Sequence, residues 1–225
     1  MPDLLSSVAA VSFDVGGTLI EPWPSVGAVY ARVARQCGAG PVDPAALDAR
    51  FAAVWRARSP DFPYTRKAWA ELVSAVFDGL DPIGRSPEFF DRLYAHFATA
   101  IPWRIFPEVR AVLAALRERG LRLAVVSNWD ERLPGLLRSL GLAGAFDVTV
   151  VSGELGCHKP APAIFAEAAS RLDVPPIRLL HVGDDPVADV QGARQAGLRA
   201  VWLRRGKTPA APDEIADLTG LLSTQ

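Results

Sequence analysis

The stretch Ser12-Phe13-Asp14-Val15-Gly16-Gly17-Thr18-Leu19 decides how this chain reads. The apolar run from Val8 to Phe13 predicts a buried strand, and it stops at an aspartate followed by two glycines and a threonine. Open α/β sheets collect their ligands at the carboxyl ends of strands, so this position puts Asp14 where chemistry is done. Glycines there allow a sharp turn and bring backbone N–H groups close to an anion. Gly17 reads most simply as the turn residue, and Gly17 and Thr18 are candidate substrate contacts.

Working outward, the C-terminal half alternates between strand and helix. Leu121–Ser127, Val148–Val151, Leu179–Val182 and Ala200–Leu203 are short apolar runs, and helical patterns cover Glu131–Leu140, Pro162–Leu172 and Val187–Ala196. Pro162 suits a first helical turn, and Gly120, Gly141 and Gly197 suit helix ends. The alternation predicts an α/β fold with a Rossmann-like, doubly wound parallel sheet. Between the first strand and Phe106 the pattern changes. Four helical patterns (Ser25–Cys37, Pro44–Arg58, Arg66–Leu80, Pro87–Ala98) are separated by Gly/Pro-rich breaks, and no strand is predicted. The expected division is a core formed by residues 1–20 and 105–225, with a helical domain over 21–104 inserted after the first strand. A last helix is expected over Pro212–Leu222.

Four pieces fall at predicted strand ends. After Asp14 comes Ser127-Asn128, a hydroxyl and helix-opening N–H groups suited to a phosphate oxygen. Capping a helix is compatible with that role. Lys159, in Gly156-Cys157-His158-Lys159-Pro160, is a loop cation that can neutralise both phosphate and nucleophile. The fourth is Gly183-Asp184-Asp185-Pro186-Val187-Ala188-Asp189. Carboxylates gathered beside a phosphate imply Mg²⁺, which takes oxygen ligands and offsets the repulsion so that Asp14 can attack phosphorus. Asp185 and Asp189 read equally as ligands or as local hydrogen-bond formers. Trp129 should reach the mouth of the site, where it either stacks on a substrate ring or packs under the inserted helical domain. His158 and His181 read as structural, His96 as exposed, and Trp23, Trp55, Trp69, Trp103 and Trp202 as packing residues. Arg66, Lys67 and Arg104 are weaker candidates for meeting an anion.

Bulk properties narrow the partners. In 225 residues, 50% are hydrophobic and 22% charged, with net charge −1. That composition carries no basic footprint for nucleic acid or a membrane surface. Cys37 and Cys157 are the only cysteines and form no CxxC pair, which argues against a disulfide framework or a zinc site. With no signal-peptide pattern and no membrane-length apolar run, the expectation is a reduced, cytoplasmic, enzyme-sized protein. The phosphate-suited groups above make a small phosphorylated metabolite the expected partner.

Taken together, DVGGTL, VVSN, the lysine of HKPAPAIF and GDDPVADVQGARQAG resemble the haloacid dehalogenase superfamily over nearly the whole chain. The helical insertion resembles the cap of its first subfamily. The resemblance implies that Asp14 is the nucleophile of an aspartyl intermediate, that Ser127 binds the transferring group and that Lys159 stabilises it. It also implies Mg²⁺ ligation by Asp14, the Gly16 carbonyl and Asp184. Asp189 would orient Lys159 or a metal-bound water, with Asp185 nearby. Asn128 and Trp129 would face the substrate, under a closing cap. One departure stands out. The family's phosphatases carry a second aspartate, the acid/base, where this chain has Gly16, a loss typically worth about 10²–10⁴-fold. The expected activity is therefore a Mg²⁺-dependent phosphate monoester phosphatase with reduced turnover. A catalytically silent phosphate- and metal-binding protein is the alternative. Dehalogenase chemistry is disfavoured by Asp184 and Asp185, and phosphonatase chemistry would hang on Lys67 alone.

Overall fold

The computed structural model describes residues 4–59 and 61–222. The chain forms two compact units, Met1–Ile20 with Ile105–Gln225, and Glu21–Arg104. The first unit opens with β1 (Ala10–Phe13), every residue of which is buried. Covered on both faces, such a strand shows a near-continuous apolar run rather than alternation. A short strand, β2 (Ile20–Pro22), follows.

The second unit holds α1 (Val26–Gln36), α2 (Pro44–Ala57), α3 (Arg66–Phe77) and α4 (Pro87–Phe97). Each starts at a polar residue whose side chain accepts a first-turn N–H: Ser25, Asp43, Thr65 and Ser86. Val29, Tyr30, Leu47, Leu72, Phe77, Phe89 and Leu93 form the centre of this unit's own core. Tyr30 stacks on Phe77 at 6.1 Å between ring centroids, and Trp55 on Trp69 at 5.7 Å. α3 ends at Phe77 rather than Leu80, because Gly79 takes a positive φ and Pro82 follows. His96, expected to be exposed, is half-buried and its Nε2 lacks a hydrogen-bond partner.

β3 (Trp103–Ile105) pairs with β2 in a two-stranded sheet. The absence of any strand before Phe106 was therefore the wrong expectation. β2 and β3 have three residues each, one strand ending in Pro22 and the other following Pro102, too few for alternation to register.

The chain continues through α5 (Val109–Glu118), β4 (Arg122–Ser127), α6 (Leu133–Ser139), β5 (Val148–Val151), α7 (Ser152–Leu155), α8 (Pro162–Arg171), β6 (Leu179–Gly183), α9 (Gly192–Gln195), β7 (Arg199–Leu203) and β8 (Glu214–Ile215). The six main strands form one parallel sheet in the order β5-β4-β1-β6-β7-β8. This is the α/β, Rossmann-like core anticipated from strand–helix alternation. β1 lies between β4 and β6, so the chain order runs outward in both directions and opens a crevice at the carboxyl ends. Ile164, Phe165 and Ala168 of α8 pack with Ala124, Val126 and Leu179 of the sheet.

Two helical expectations need correction. Val187–Ala196 is not one α-helix: Pro186–Gln191 is a π-helical turn, and only Gly192–Gln195 is α-helical. The N–H groups of Asp189 and Val190 both bond to the Asp185 carbonyl, which widens the turn. Pro212–Leu222 is not a helix either. Ile215 is buried as β8 pairs with β7, and Leu218 and Leu221 are buried one 3₁₀ turn apart. No helix among the described residues is long and apolar enough to cross a membrane.

Candidate active site

Three neighbouring strands deliver the first groups. Phe13 is in register with Val125 of β4 and Val182 of β6, so Asp14, Ser127 and Asp184 emerge at the same end of the sheet. Ser127 Oγ donates to Asp14 Oδ1 at 3.0 Å. Lys159 Nζ donates to the same oxygen at 2.6 Å and to Asp189 Oδ1 at 2.6 Å. Asp14, Ser127, Lys159 and Asp189 are all buried.

Lys159 reaches this point from a loop pinned by Asn128. The Asn128 Oδ1 accepts from the Lys159 N–H at 2.7 Å, and its Nδ2 donates to the Lys159 carbonyl at 3.0 Å. The side-chain amide thus pairs with the loop as a strand's peptide group would. Asp189 hangs from the widened turn, and its Oδ2 accepts the Asp185 N–H at 2.9 Å. A Cβ at Gly183 would lie 2.2 Å from the Asp189 carboxyl carbon, so the strand must end in glycine for Asp189 to fold back over it.

Charge dominates this cluster. Burial pushes the Asp14 carboxyl upward, opposed by the Lys159 ammonium. Burial alone would lower Lys159, but Asp14 and Asp189 outweigh it and hold the ammonium well above its ordinary range. Asp189 is held well below the usual carboxylate range; burial works against this, and Lys159 and then His181 overcome it. Asp184 keeps contact with solvent yet is crowded by protein, and burial followed by repulsion from Asp14 and Asp189 pushes it up to about 7.

Oxygens of Asp14, Asp184 and Asp189 lie within 4.8 Å of one another. Three carboxylates face a single ammonium, an excess of negative charge on hard oxygen donors that fits a divalent cation such as Mg²⁺. Asp185 stands outside this group: its Oδ1 caps the following turn, accepting from the N–H groups of Val187 and Ala188 at 2.8 Å each.

The turn after Asp14 is closely built. Gly17 has φ 74°, and a Cβ on it would fall 2.4 Å from Asp184 Oδ2. A Cβ on Gly16 would meet only the Trp129 ring, at 3.5 Å, so the indole stands beside the place where the family's acid/base would project. The Trp129 N–H donates to Ser152 Oγ at 3.0 Å. Thr18 is fully buried and its hydroxyl has no hydrogen-bond partner. The minor candidates are ion-paired inside the helical unit: Arg66 with Asp91, Lys67 with Glu71, Arg104 with Glu21.

Sequence reading missed three contributors. Arg205 donates to the carbonyls of Gly17 (3.1 Å) and Thr18 (2.5 Å), pairs with Glu108 (2.7 Å) and lies over the Phe106 ring. Trp202, read as packing, donates its Nε1–H to the Asp184 carbonyl at 3.0 Å. His181, read as structural, touches Asp189 directly at 3.2 Å. A polar residue inside an apolar strand was the available signal for His181. Arg205, in a loop far along the chain, left none.

A buried aspartate, a bridging lysine and a group of carboxylates thus meet at the switch point of the parallel sheet. Residues 8–197 match the haloacid dehalogenase-like hydrolase family, and the chain belongs to it. It is 35% identical over 209 residues to haloacid dehalogenase-like hydrolase domain-containing protein 3 of Mus musculus, covering 88% of this chain and 82% of that protein. It is 38% identical over 173 residues to a phosphoserine phosphatase of Thermus thermophilus, covering 74% and 68%. Among solved structures, a 2-haloacid dehalogenase of Pseudomonas syringae superimposes with a TM-score of 0.65 at 28% identity, covering 96% of each chain.

Proposed function

We propose that this hydrolase is a phosphate monoester phosphatase that works through an aspartyl-phosphate on Asp14. The observation that carries the reading is the Lys159 ammonium, buried and shared between Asp14 and Asp189 at 2.6 Å each, beside a carboxylate group suited to a divalent cation. The similarity to a phosphoserine phosphatase supports the same class. Asp14, Asp184 and the Gly16 carbonyl would hold Mg²⁺, with Asp189 alongside, and the bound ion would supply neutralisation of the carboxylate–phosphate repulsion. An Asp14 oxygen attacks phosphorus, the Asp14–phosphorus bond forms and the ester oxygen leaves. Ser127 orients Asp14 and offers its hydroxyl to the transferring group, while Lys159 balances the charge that builds there. Water then cleaves the aspartyl-phosphate and restores Asp14. Gly16 holds no proton for the leaving oxygen and no base for that water, so the second step is slow. In this reading residues 21–104 serve as the cap that selects substrate.

Gly16 also favours a second reading, a silent member that keeps metal and phosphate binding. Intact-protein mass after incubation with Mg²⁺ and acetyl phosphate or p-nitrophenyl phosphate separates the two, with Asp14→Asn as control. A phosphate adduct on wild type alone, or Asp14-dependent p-nitrophenol release, is expected. Neither adduct nor product would leave the silent reading. Halide release from a 2-haloacid that survives a chelator would instead point to dehalogenase chemistry.

A further inference from the structure

His181 lies in β6, fully buried, with its ring edge-on to Phe165 at 5.0 Å between centroids. Both ring nitrogens are engaged. Nδ1 is 2.9 Å from the hydroxyl of Ser12, its register partner on β1, and Nε2 is 3.2 Å from Asp189 Oδ1. The partners fix the hydrogens. Asp189, ionised beside Lys159, can only accept, so the ring hydrogen sits on Nε2. With the hydrogen on Nε2, Nδ1 turns its lone pair to the Ser12 hydroxyl, which donates to it.

A single order of donation results. Ser12 O–H points to His181 Nδ1, His181 Nε2–H points to Asp189 Oδ1, and that same oxygen receives the Lys159 ammonium, which also grips Asp14. The Asp185 N–H holds Oδ2 of that carboxylate, so the Lys159 ammonium and the His181 Nε2–H share its other oxygen. The imidazole is thus a second donor, fixed in β6, on the oxygen that Lys159 grips.

We propose that His181 is a positioning residue, which fixes the Asp189 carboxylate and thereby aims Lys159 at Asp14. The functional half of this inference rests on Asp14 and Lys159 being the reacting pair; the order of hydrogen bonds stands without it. The only histidines are His96, His158 and His181, and the only lysines Lys67, Lys159 and Lys207, so ¹⁵N labelling of either type gives few signals to assign.

The experiment compares wild type, His181→Phe and His181→Gln, first by ¹⁵N NMR and then by the rate at which acetyl phosphate modifies Asp14 in the presence of Mg²⁺. Wild type is expected to show a protonated Nε2, an unprotonated Nδ1 and a slowly exchanging Lys159 ammonium. His181→Phe keeps the ring's packing, loses the Lys159 signal and slows phosphorylation by about 10- to 100-fold, the usual cost of removing a partner behind a reacting group. His181→Gln, which restores an N–H donor, recovers the signal and most of the rate. A protonated Nδ1 in wild type overturns the inference, as does His181→Phe with an unchanged Lys159 signal and rate. Should His181→Phe not fold, Ser12→Ala replaces it: a mixed tautomer and slower phosphorylation support the proposal, and an unchanged pair of readouts overturns it. If wild type gives neither a phosphate adduct nor p-nitrophenol yet His181→Phe still abolishes the Lys159 signal, the phosphatase reading falls and the positioning role stands.

Discussion

Adding one methyl group at Gly17, and separately at Gly16, puts the geometry of the turn after Asp14 to a direct test. At Gly17 the backbone has φ 74°, where an alanine costs about 1–2 kcal/mol. The new Cβ would also lie 2.4 Å from Asp184 Oδ2, whereas ordinary contact begins at 3.4 Å, so the carboxylate must withdraw by the difference, 1.0 Å. Asp184 is partly exposed and can swing outward, which limits the stability cost but moves a candidate metal ligand. At Gly16 no positive φ is needed, and the nearest atom, in the Trp129 ring, is at 3.5 Å. An alanine there fits and should stabilise by about 0.4–1 kcal/mol through the unfolded state. Adjacent methyl groups are therefore predicted to act with opposite sign. Gly16→Ala should melt roughly 1–4 °C higher than wild type and Gly17→Ala roughly 2–8 °C lower. Calorimetric titration should find Mg²⁺ binding about 10- to 100-fold weaker in Gly17→Ala and little changed in Gly16→Ala. Two variants with equal melting temperatures and equal Mg²⁺ affinity would refute the placement of Asp184 against Gly17.

Lys159→Met leaves the carboxylates of Asp14 and Asp189 buried without their cation, and chemical denaturation should show a loss of about 3–5 kcal/mol; a variant as stable as wild type would deny that the pair is buried as described. Arg205→Ala removes the bonds to the Gly17 and Thr18 carbonyls and strands Glu108. A loss of about 2 kcal/mol is expected by thermal unfolding, together with slower modification of Asp14, and full activity would exclude a role in holding the turn. Without metal, stability should fall as pH rises from about 4 to 7. Asp184, near 7 when folded and 3.8 when unfolded, holds its proton in the folded state across that window, so the unfolded chain binds fewer protons. Below that window, protonation of Asp189 reverses the slope, because its folded value is depressed. Mg²⁺ should raise the melting temperature more at pH 7.5 than at pH 5.5, and melting curves that rise or stay flat from pH 5 to 7 would contradict the assignment.

Much of the parallel core could be read from sequence because its strands are short apolar runs set off by glycines and prolines, and buried strands advertise themselves by composition. The capped helices over 21–104 were legible for a related reason: Ser25, Asp43, Thr65 and Ser86 each stand just before an apolar periodicity. The tail over 212–222 misled because its apolar spacing suits a helix, while the pairing of Glu214 and Ile215 with β7 is a tertiary event with no local mark. The π-helical turn was invisible for the same reason, since Asp185 to Gln191 has an ordinary helical composition. At the candidate site, Asp14, Ser127 and Asp184 were legible as polar residues closing apolar strands, and the structure brings those strand ends together. Those that act from elsewhere, such as Arg205 on the Gly17 and Thr18 carbonyls, were not, because nothing near Arg205 in sequence speaks of the turn it holds.

The order β4-β1-β6 at the centre of the sheet also sets a timetable for the nascent chain. Ser127 is separated from Asp14 by 113 residues, Lys159 by 145, and His181 from Ser12 by 169. β1 is synthesised before both of its neighbours in the sheet, so one of its edges stays open until β4 has left the ribosome and the other until β6 has. Until then Asp14 has no lysine beside it, and the carboxylate group that would attract a cation does not exist. Metal can therefore reward the finished core but cannot nucleate it, and an incomplete chain presents the open edges of an apolar strand to its surroundings. For a protein built this way, the strand that covers the second edge of β1 closes the site as well as the centre of the sheet.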